Sequence, residues 1–424
     1  MSDVQESEND KVDSNLFLEA QEVGESEIEK LKGDTVGNTL YSGKWIINTL
    51  LSIYRVREDG WNEDLENNLC TLWDITTEKD IVLFLVDNDF FKIAEFALNY
   101  QAPRLMEIIW GIIGNMSCEP VVLEILGTKE ELLETISRQN FLEDSGVWVQ
   151  ILRLFRSALW NIQTNPESRW RVNLRNSTYL KDLIPFILKS STNVELLIAT
   201  LSFLRSSAEI DLPNGKTLFD ELFETSSFLS GMLESFEEIL PHDEAPYLAP
   251  MLKYLEDWLE LFSNLRKRPQ IHQEILQDDN LARTIEIPRR ILANFSDPWN
   301  LYPLGTTKAS CIYMCAEIIL DFRWKGFSRA DSTVDINETI LKIIFNIGTG
   351  MKEEEEEDCK ETMKELLKYL ERYWVEIAKI STTDEIIQIL KTNEKTIVDH
   401  AINLLKANIP EDKINSIVNG WSNK

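Results

Sequence analysis

The chain has 424 residues, 43 basic and 72 acidic, for a formal net charge of −29; 43% of its residues are hydrophobic and 9% aromatic. So acidic a molecule sets up a field that disfavours nucleic acid and anionic membrane surfaces, while its apolar content is ample for a folded core. Five scattered cysteines (Cys70, Cys118, Cys311, Cys315, Cys359) do not form a disulfide framework and are expected as reduced thiols packed like small hydrophobes.

Residues 1–34 hold eleven Asp/Glu against three Lys. Such a segment buries too little apolar surface to offset its ordering entropy, so a disordered acidic tail is expected. Its start, MSDVQESEND, lacks the basic and apolar regions of a signal peptide. The strongest apolar run, Ile81 to Val86, is far short of a membrane span, so an intracellular protein is expected.

Order should begin at GNTLYSGKW, residues 37–45, and run into an apolar helix through Ile53. Trp61 to Trp73 reads as the next helix, with Leu65, Leu69 and Leu72 on one face. Thr77 and Asp89 are placed to cap the two helices that follow. Pro103 to Cys118, PRLMEIIWGIIGNMSC, is the clearest helix: Leu105, Ile108, Ile109, Ile112, Ile113 and Met116 line one face. Gly111 and Gly114 lie roughly opposite and suggest that another backbone approaches closely, because glycine inside a helix costs about 1 kcal/mol against Ala. A helix packed on two sides suits the inner row of a repeat solenoid.

A second helix, residues 150–163, repeats the pattern and places Asn161 46 positions after Asn115. A third, residues 194–208, ends where the next copy should, and residues 256–265 carry a fainter one with Asn264. An interval near 45 matches armadillo and HEAT units, which run to roughly 40–47 residues. Residues 166–176 read as a connector. DLPNGK, residues 211–216, is a turn and the best candidate for an internal joint. A helix is expected over residues 247–262 and a long buried one over 307–322, then an acidic loop at residues 348–358 leading into a helix that runs to Lys379, and short helices at the end that include residues 394–407. The expected fold is an all-α armadillo/HEAT-like α-solenoid: the tail (1–34), repeats over residues 35–210, and more divergent repeats over residues 211–424.

Four strings, GNTLYSGKW, LCTLWDITTEKDIVLFL, PRLMEIIWGIIGNMSC and STNVELL, occur in this order between Gly37 and Leu197. In them the chain resembles the serum-amyloid-A-like family, also called synoviocyte-proliferation-associated proteins. The resemblance implies an armadillo-type fold, a non-enzymatic protein linked to cell proliferation, and residence in the nucleus. It supplies no catalytic residues.

The best candidate site is a basic island in this acidic chain. Arg153, Arg156 and Trp160 share the helix face opposite its apolar side, and Arg169, Trp170, Arg171 and Arg175 follow; from 153 to 175 the one acid is Glu167. Arginine grips carboxylates bidentately and stacks on indole, so the island suits an acidic or phosphorylated segment of another protein. The competing reading packs the tryptophans between repeats and pairs the arginines with acids from elsewhere. Asn115 and Asn161 are candidate backbone-binding asparagines, but the Trp110 and Trp160 spacings do not match the peptide-holding pattern, and hydrogen bonds to a neighbouring repeat are the favoured reading. Cys311 and Cys315 lack further ligands for structural zinc. His242, His272 and His400 sit in no catalytic motif, and residues 37–44 miss the phosphate-loop spacing. The expectation is a non-catalytic scaffold without cofactor, metal, nucleic-acid or membrane ligand. The alternative is a cargo-handling solenoid, transport or chaperone-like, whose acidic tail covers the island.

Overall fold

A computed structural model describes residues 34–137, 144–223, 228–240, 246–326, 333–352 and 354–422. The expected acidic tail, Asp34 apart, and His242 lie outside the described residues. Among the described residues there are 24 helices and no strand; backbone pairs of β type occur only as isolated bridges, Thr35 with Ser42 and Asp211 with Thr217. The fold is all-α. The chain divides into two units, Met1–Thr135 and Ile136–Lys424.

The first unit contains α1 (Gly43–Tyr54), α2 (Val56–Asp59), α3 (Glu63–Ile75), α4 (Lys79–Asp87), α5 (Phe90–Leu98), α6 (Pro103–Met116) and α7 (Pro120–Gly127), and α8 (Glu130–Ser137) begins in it. Side chains start two of these helices. Ser42 accepts from the Trp45 amide and Asn62 from the Leu65 amide, satisfying N–H groups that have no partner within the helix. The expected caps at Thr77 and Asp89 do not form. The Thr77 hydroxyl donates back to the Asp74 carbonyl at 3.0 Å, and Asp89, at φ 57°, starts α5 without a side-chain bond and pairs instead with Lys92.

Helix α6 packs on α3 and α5 and is buried on both sides, with Ile108, Ile109, Ile112 and Ile113 wholly inaccessible and Gly111 and Gly114 buried too. What crowds Gly111 is the indole of Trp73, not a backbone. A Cβ added there would lie 2.2 Å from the Trp73 ring. The sequence expectation of a close backbone is corrected at this position: the missing side chain makes room for an aromatic ring from α3.

The second unit runs through α9 (Ser145–Thr164), α10 (Arg169–Asn176), α11 (Thr178–Ser190), α12 (Val194–Glu209), α13 (Leu218–Leu222), α14 (Phe228–Ile239), α15 (Ala249–Leu265) and α16 (Pro269–Ile275). It continues with α17 (Asp278–Phe295), α18 (Pro298–Leu301), α19 (Thr306–Trp324), α20 (Val334–Gly350), α21 (Glu357–Ile380), α22 (Thr383–Lys391), α23 (Lys395–Lys406) and α24 (Glu411–Ser422). Two rows form. Helices α9, α12, α15, α19 and α21 each pack on the next, and α11, α14, α17, α20 and α22 do the same behind them. Each unit of the stack buries its apolar stripe against its neighbours, which is the logic of an α-solenoid. The core between the rows is rich in aromatics: Trp258 stacks on Phe262 with centroids 5.1 Å apart, touches Phe236, and donates its indole N–H to the Met232 carbonyl at 2.9 Å.

The register between neighbouring helices of the first row is not constant. The side chain of Asn193, the N-cap of α12, meets Ser145 on α9 48 positions away, Arg205 on α12 meets Glu260 on α15 55 away, Arg266 meets Asp321 on α19 55 away, and Arg323 meets Ser381 58 away. The turn expected at residues 211–216 is present, with Gly215 at φ 77° and the Leu212 amide bonded to the Lys216 carbonyl at 2.8 Å. It lies inside the second unit, and α12 packs on α15 across it.

Candidate protein-binding face

Helix α9 begins where the Asp144 carboxylate accepts from the amides of Gly146 (3.0 Å) and Val147 (3.2 Å). Twelve of its twenty residues are buried, which leaves a narrow exposed stripe of Arg153, Arg156, Trp160 and Gln163 at i, i+3, i+7 and i+10. No acidic residue occurs in the helix. Arg153 donates to the Oε1 of Gln150 at 2.7 Å. Arg156 makes no hydrogen bond or ion pair within the described residues, and Trp160, one turn further on, is 53% exposed. The structure therefore gathers three of the predicted residues on one surface.

The others divide. The expected open connector is instead a turn followed by α10, because Ser168 caps the helix by accepting from the Trp170 amide at 3.2 Å. The Ser168 hydroxyl also donates to the side-chain carbonyl of Asn161. Asn161 is thus buried and binds α9 to the start of α10, so it does not face a ligand. Trp170 is 1% exposed and packs, with Leu174 one turn on, into the core. Arg171 is an internal clamp: Nε and Nη2 hold the two carboxylate oxygens of Glu221, in α13, at 3.0 and 2.6 Å, and Nη1 reaches the Pro166 carbonyl at 3.3 Å. That fork raises the Arg171 pKa and holds the Glu221 carboxyl below its usual range. Arg169 and Arg175 stay at the exposed surface of α10.

Asn115 is a structural bracket as well. Its Nδ2 donates to the Trp73 carbonyl at 3.0 Å and the Thr76 hydroxyl at 3.1 Å, satisfying the end of α3 from α6. Asn346 does the same in the second unit, donating to the Ser296 carbonyl at 2.9 Å. Sequence reasoning missed Asn346. The signal was an asparagine near a helix C-terminus, the position of Asn115.

It also missed the ionic rungs of the first row. Asp257, 1% exposed, accepts from the Ser202 hydroxyl at 2.5 Å and lies 3.3 Å from Arg205 and 3.1 Å from Lys253. Arg205 also binds Glu260 at 2.5 Å. Arg266, buried, grips Glu317 at 3.0 Å and also Asp321, and Arg323 reaches Glu385 at 3.2 Å. Arg205 and Arg266 thus cross-link consecutive helices of this row, while Arg323 joins α19 to α22 of the second row. Cys311 and Cys315 are both inaccessible, and burial pushes both thiols up, away from the thiolate that metals prefer. Among the described residues no group of three or more His, Cys, Asp or Glu could hold a metal ion, and no helix is long and apolar enough to cross a membrane.

No family model matches the chain. Among curated proteins it is 25% identical over 295 residues to protein SAAL1 of Mus musculus, covering 63% of this chain and 58% of the mouse protein. It is 30% identical over 181 residues to protein saal1 of Danio rerio, and 28% over 181 residues to protein SAAL1 of Homo sapiens, each covering 39% of this chain and 38% of that protein. The chain thus spans less than two thirds of the length of these relatives. SAAL1 stands for serum amyloid A-like 1, and over these partial segments the chain is similar to the serum-amyloid-A-like family that its four sequence strings resemble.

Proposed function

We propose that the protein is a non-catalytic adaptor that binds another protein through the exposed stripe of α9. The observation that supports this is Arg156 beside Trp160: a cation that pairs with none of this chain's described side chains, next to an indole left 53% exposed. Elsewhere in the first row Arg205 and Arg266 are matched by the chain's own carboxylates and Trp258 and Tyr254 are inside, although Trp324 and Tyr313 of α19 are exposed and Arg372 of α21 has no ion pair among the described residues. Trp and Arg are enriched among the few residues that carry most of the energy of an interface. A surface that keeps both in water is suited to a partner.

The test is affinity purification from nuclear and cytoplasmic extracts with wild type and with Arg153→Glu/Arg156→Glu/Trp160→Ala, after circular dichroism has established that both are folded. Selective loss of one partner from the variant is expected; retention of every partner removes the reading. Nuclear residence and a link to cell proliferation are taken from the family resemblance as part of this proposal. A tagged chain excluded from the nucleus would remove the first, and unchanged growth of depleted cells the second.

A further inference from the structure

We propose that the occupant of the α9 stripe is a carboxylate-rich peptide segment of the partner protein, held by Arg153 and Arg156 and flanked by Trp160. The inference rests on the protein-binding reading and names its ligand chemistry.

Charge distribution is the first argument. At the chain's average density of acids, 72 in 424, the 32 residues of α9, the turn and α10 should hold about five; they hold Glu167 alone, against five arginines. Arg156 is unmatched among the described residues in a chain where acids outnumber bases by 72 to 43. The clamps of the same unit show what this protein does with arginine when the partner is its own: Arg171, Arg266 and Arg323 are each brought onto a carboxylate by the fold. On α9 the guanidinium is presented and the carboxylate is left for another molecule to bring.

Geometry is the second. Arg153, Arg156 and Trp160 at i, i+3 and i+7 form one line along the helix, so a segment laid along it meets Arg153, which already bonds Gln150, then the Arg156 fork and an indole face in succession. Arg169 and Arg175, exposed on α10, which packs on α9, add positive potential around that line. A guanidinium fork matches a carboxylate bidentately, which an ammonium does not, and the exposed indole gives a neighbouring apolar or cationic side chain a surface to cover.

The probe is fluorescein-labelled hexaglutamate, followed by anisotropy on the full chain at 50 mM salt. Arg153→Glu/Arg156→Glu should weaken binding at least tenfold, while Arg283→Glu/Arg289→Glu, an equal charge change at two other partly exposed arginines, should leave it within about twofold. Arg156→Lys, which keeps the charge and loses the fork, should weaken it about threefold, and raising salt to 300 mM should weaken it severalfold because exposed charges are screened within about 10 Å. Equal loss in the two double variants, or none in either, overturns the proposal. Hexaglutamate should also displace the partner recovered with wild type, and hexalysine should not. A partner lost from the triple variant yet not displaced by hexaglutamate overturns the ligand chemistry and leaves the adaptor reading standing; a partner retained by the triple variant overturns both.

Discussion

Two stretches of the same helical row use arginine in opposite ways. From α12 to α19 the guanidinium groups of Arg205 and Arg266 lie between consecutive helices and meet the chain's own carboxylates, and Arg323 reaches Glu385 on α22 of the second row. On α9 Arg156 points to solvent beside Trp160 and meets none among the described residues. The residue type is the same and the helix geometry is the same. What differs is whether an acid stands one register away on the next helix, and that decides between a cross-link and a docking surface.

The comparison is broken most forcefully in the core beneath the rungs. Trp258→Ala removes a stacked indole and its hydrogen bond, and should cost about 3–5 kcal/mol of unfolding free energy by chemical denaturation; a loss under about 1 kcal/mol would mean that the rows are not packed as described. Arg266→Ala leaves Glu317 without its cation and Asp321 with Lys325 alone, and because those acids are partly solvated the expected cost is at the lower end of about 2–4 kcal/mol. Gly111→Ala should cost about 1–3 kcal/mol, the range for overpacking, because the Trp73 ring must shift.

Arg171→Ala tests a clamp that sits within the basic island itself. The pair with Glu221 is partly solvated, so about 1–2 kcal/mol is expected at pH 7. The pH dependence has a definite sign. Glu221 titrates below its ordinary value of 4.5 in the folded chain, so its contribution is present above that value and is lost as pH falls through the lower folded one. The stability gap between wild type and Arg171→Ala should therefore narrow between pH 5 and pH 3; a gap that widens on acidification contradicts the clamp. Smallest of all is Trp160→Ala, expected within about 0.5 kcal/mol of wild type because the indole already stands in water.

How legible this was in the sequence follows the same division. Helix periodicity was enough for α6, whose apolar positions recur every three or four residues over several turns, while α19, expected at residues 307–322 from its alanine- and isoleucine-rich composition, was found at Thr306–Trp324. The repeat itself faded because its interval grows: contacts between neighbouring helices span 42 positions at Asn115, 48 at Asn193, 55 at Arg205 and 58 at Arg323. A search at one fixed period loses such an array, and with it the rungs, which exist only in that shifting register.

Within the candidate site, the α9 stripe was readable from helical phase, since Arg153, Arg156 and Trp160 oppose the apolar face. Helix α10 was not. Three arginines in eight residues hide its short apolar face, although Trp170 and Leu174 at i, i+4 were the available sign that this tryptophan is core. The asparagines follow the favoured structural reading, a hydrogen bond to a neighbouring element, rather than the peptide-binding one. An amide near the end of a helix satisfies a carbonyl of the neighbouring helix in Asn115 and a capping serine in Asn161, and only the partner atoms separate those roles from peptide binding.

The most direct measurement compares Arg156→Glu/Trp160→Ala with Arg266→Ala in one experiment, reading unfolding free energy and retention of the co-purified partner. The account predicts that the α9 variant keeps its stability within about 0.5 kcal/mol and loses the partner, while Arg266→Ala loses about 2 kcal/mol or more and retains the partner as long as it is folded. An α9 variant that unfolds by that margin, or that keeps the partner, would show that the exposed arginine and tryptophan are not the docking surface.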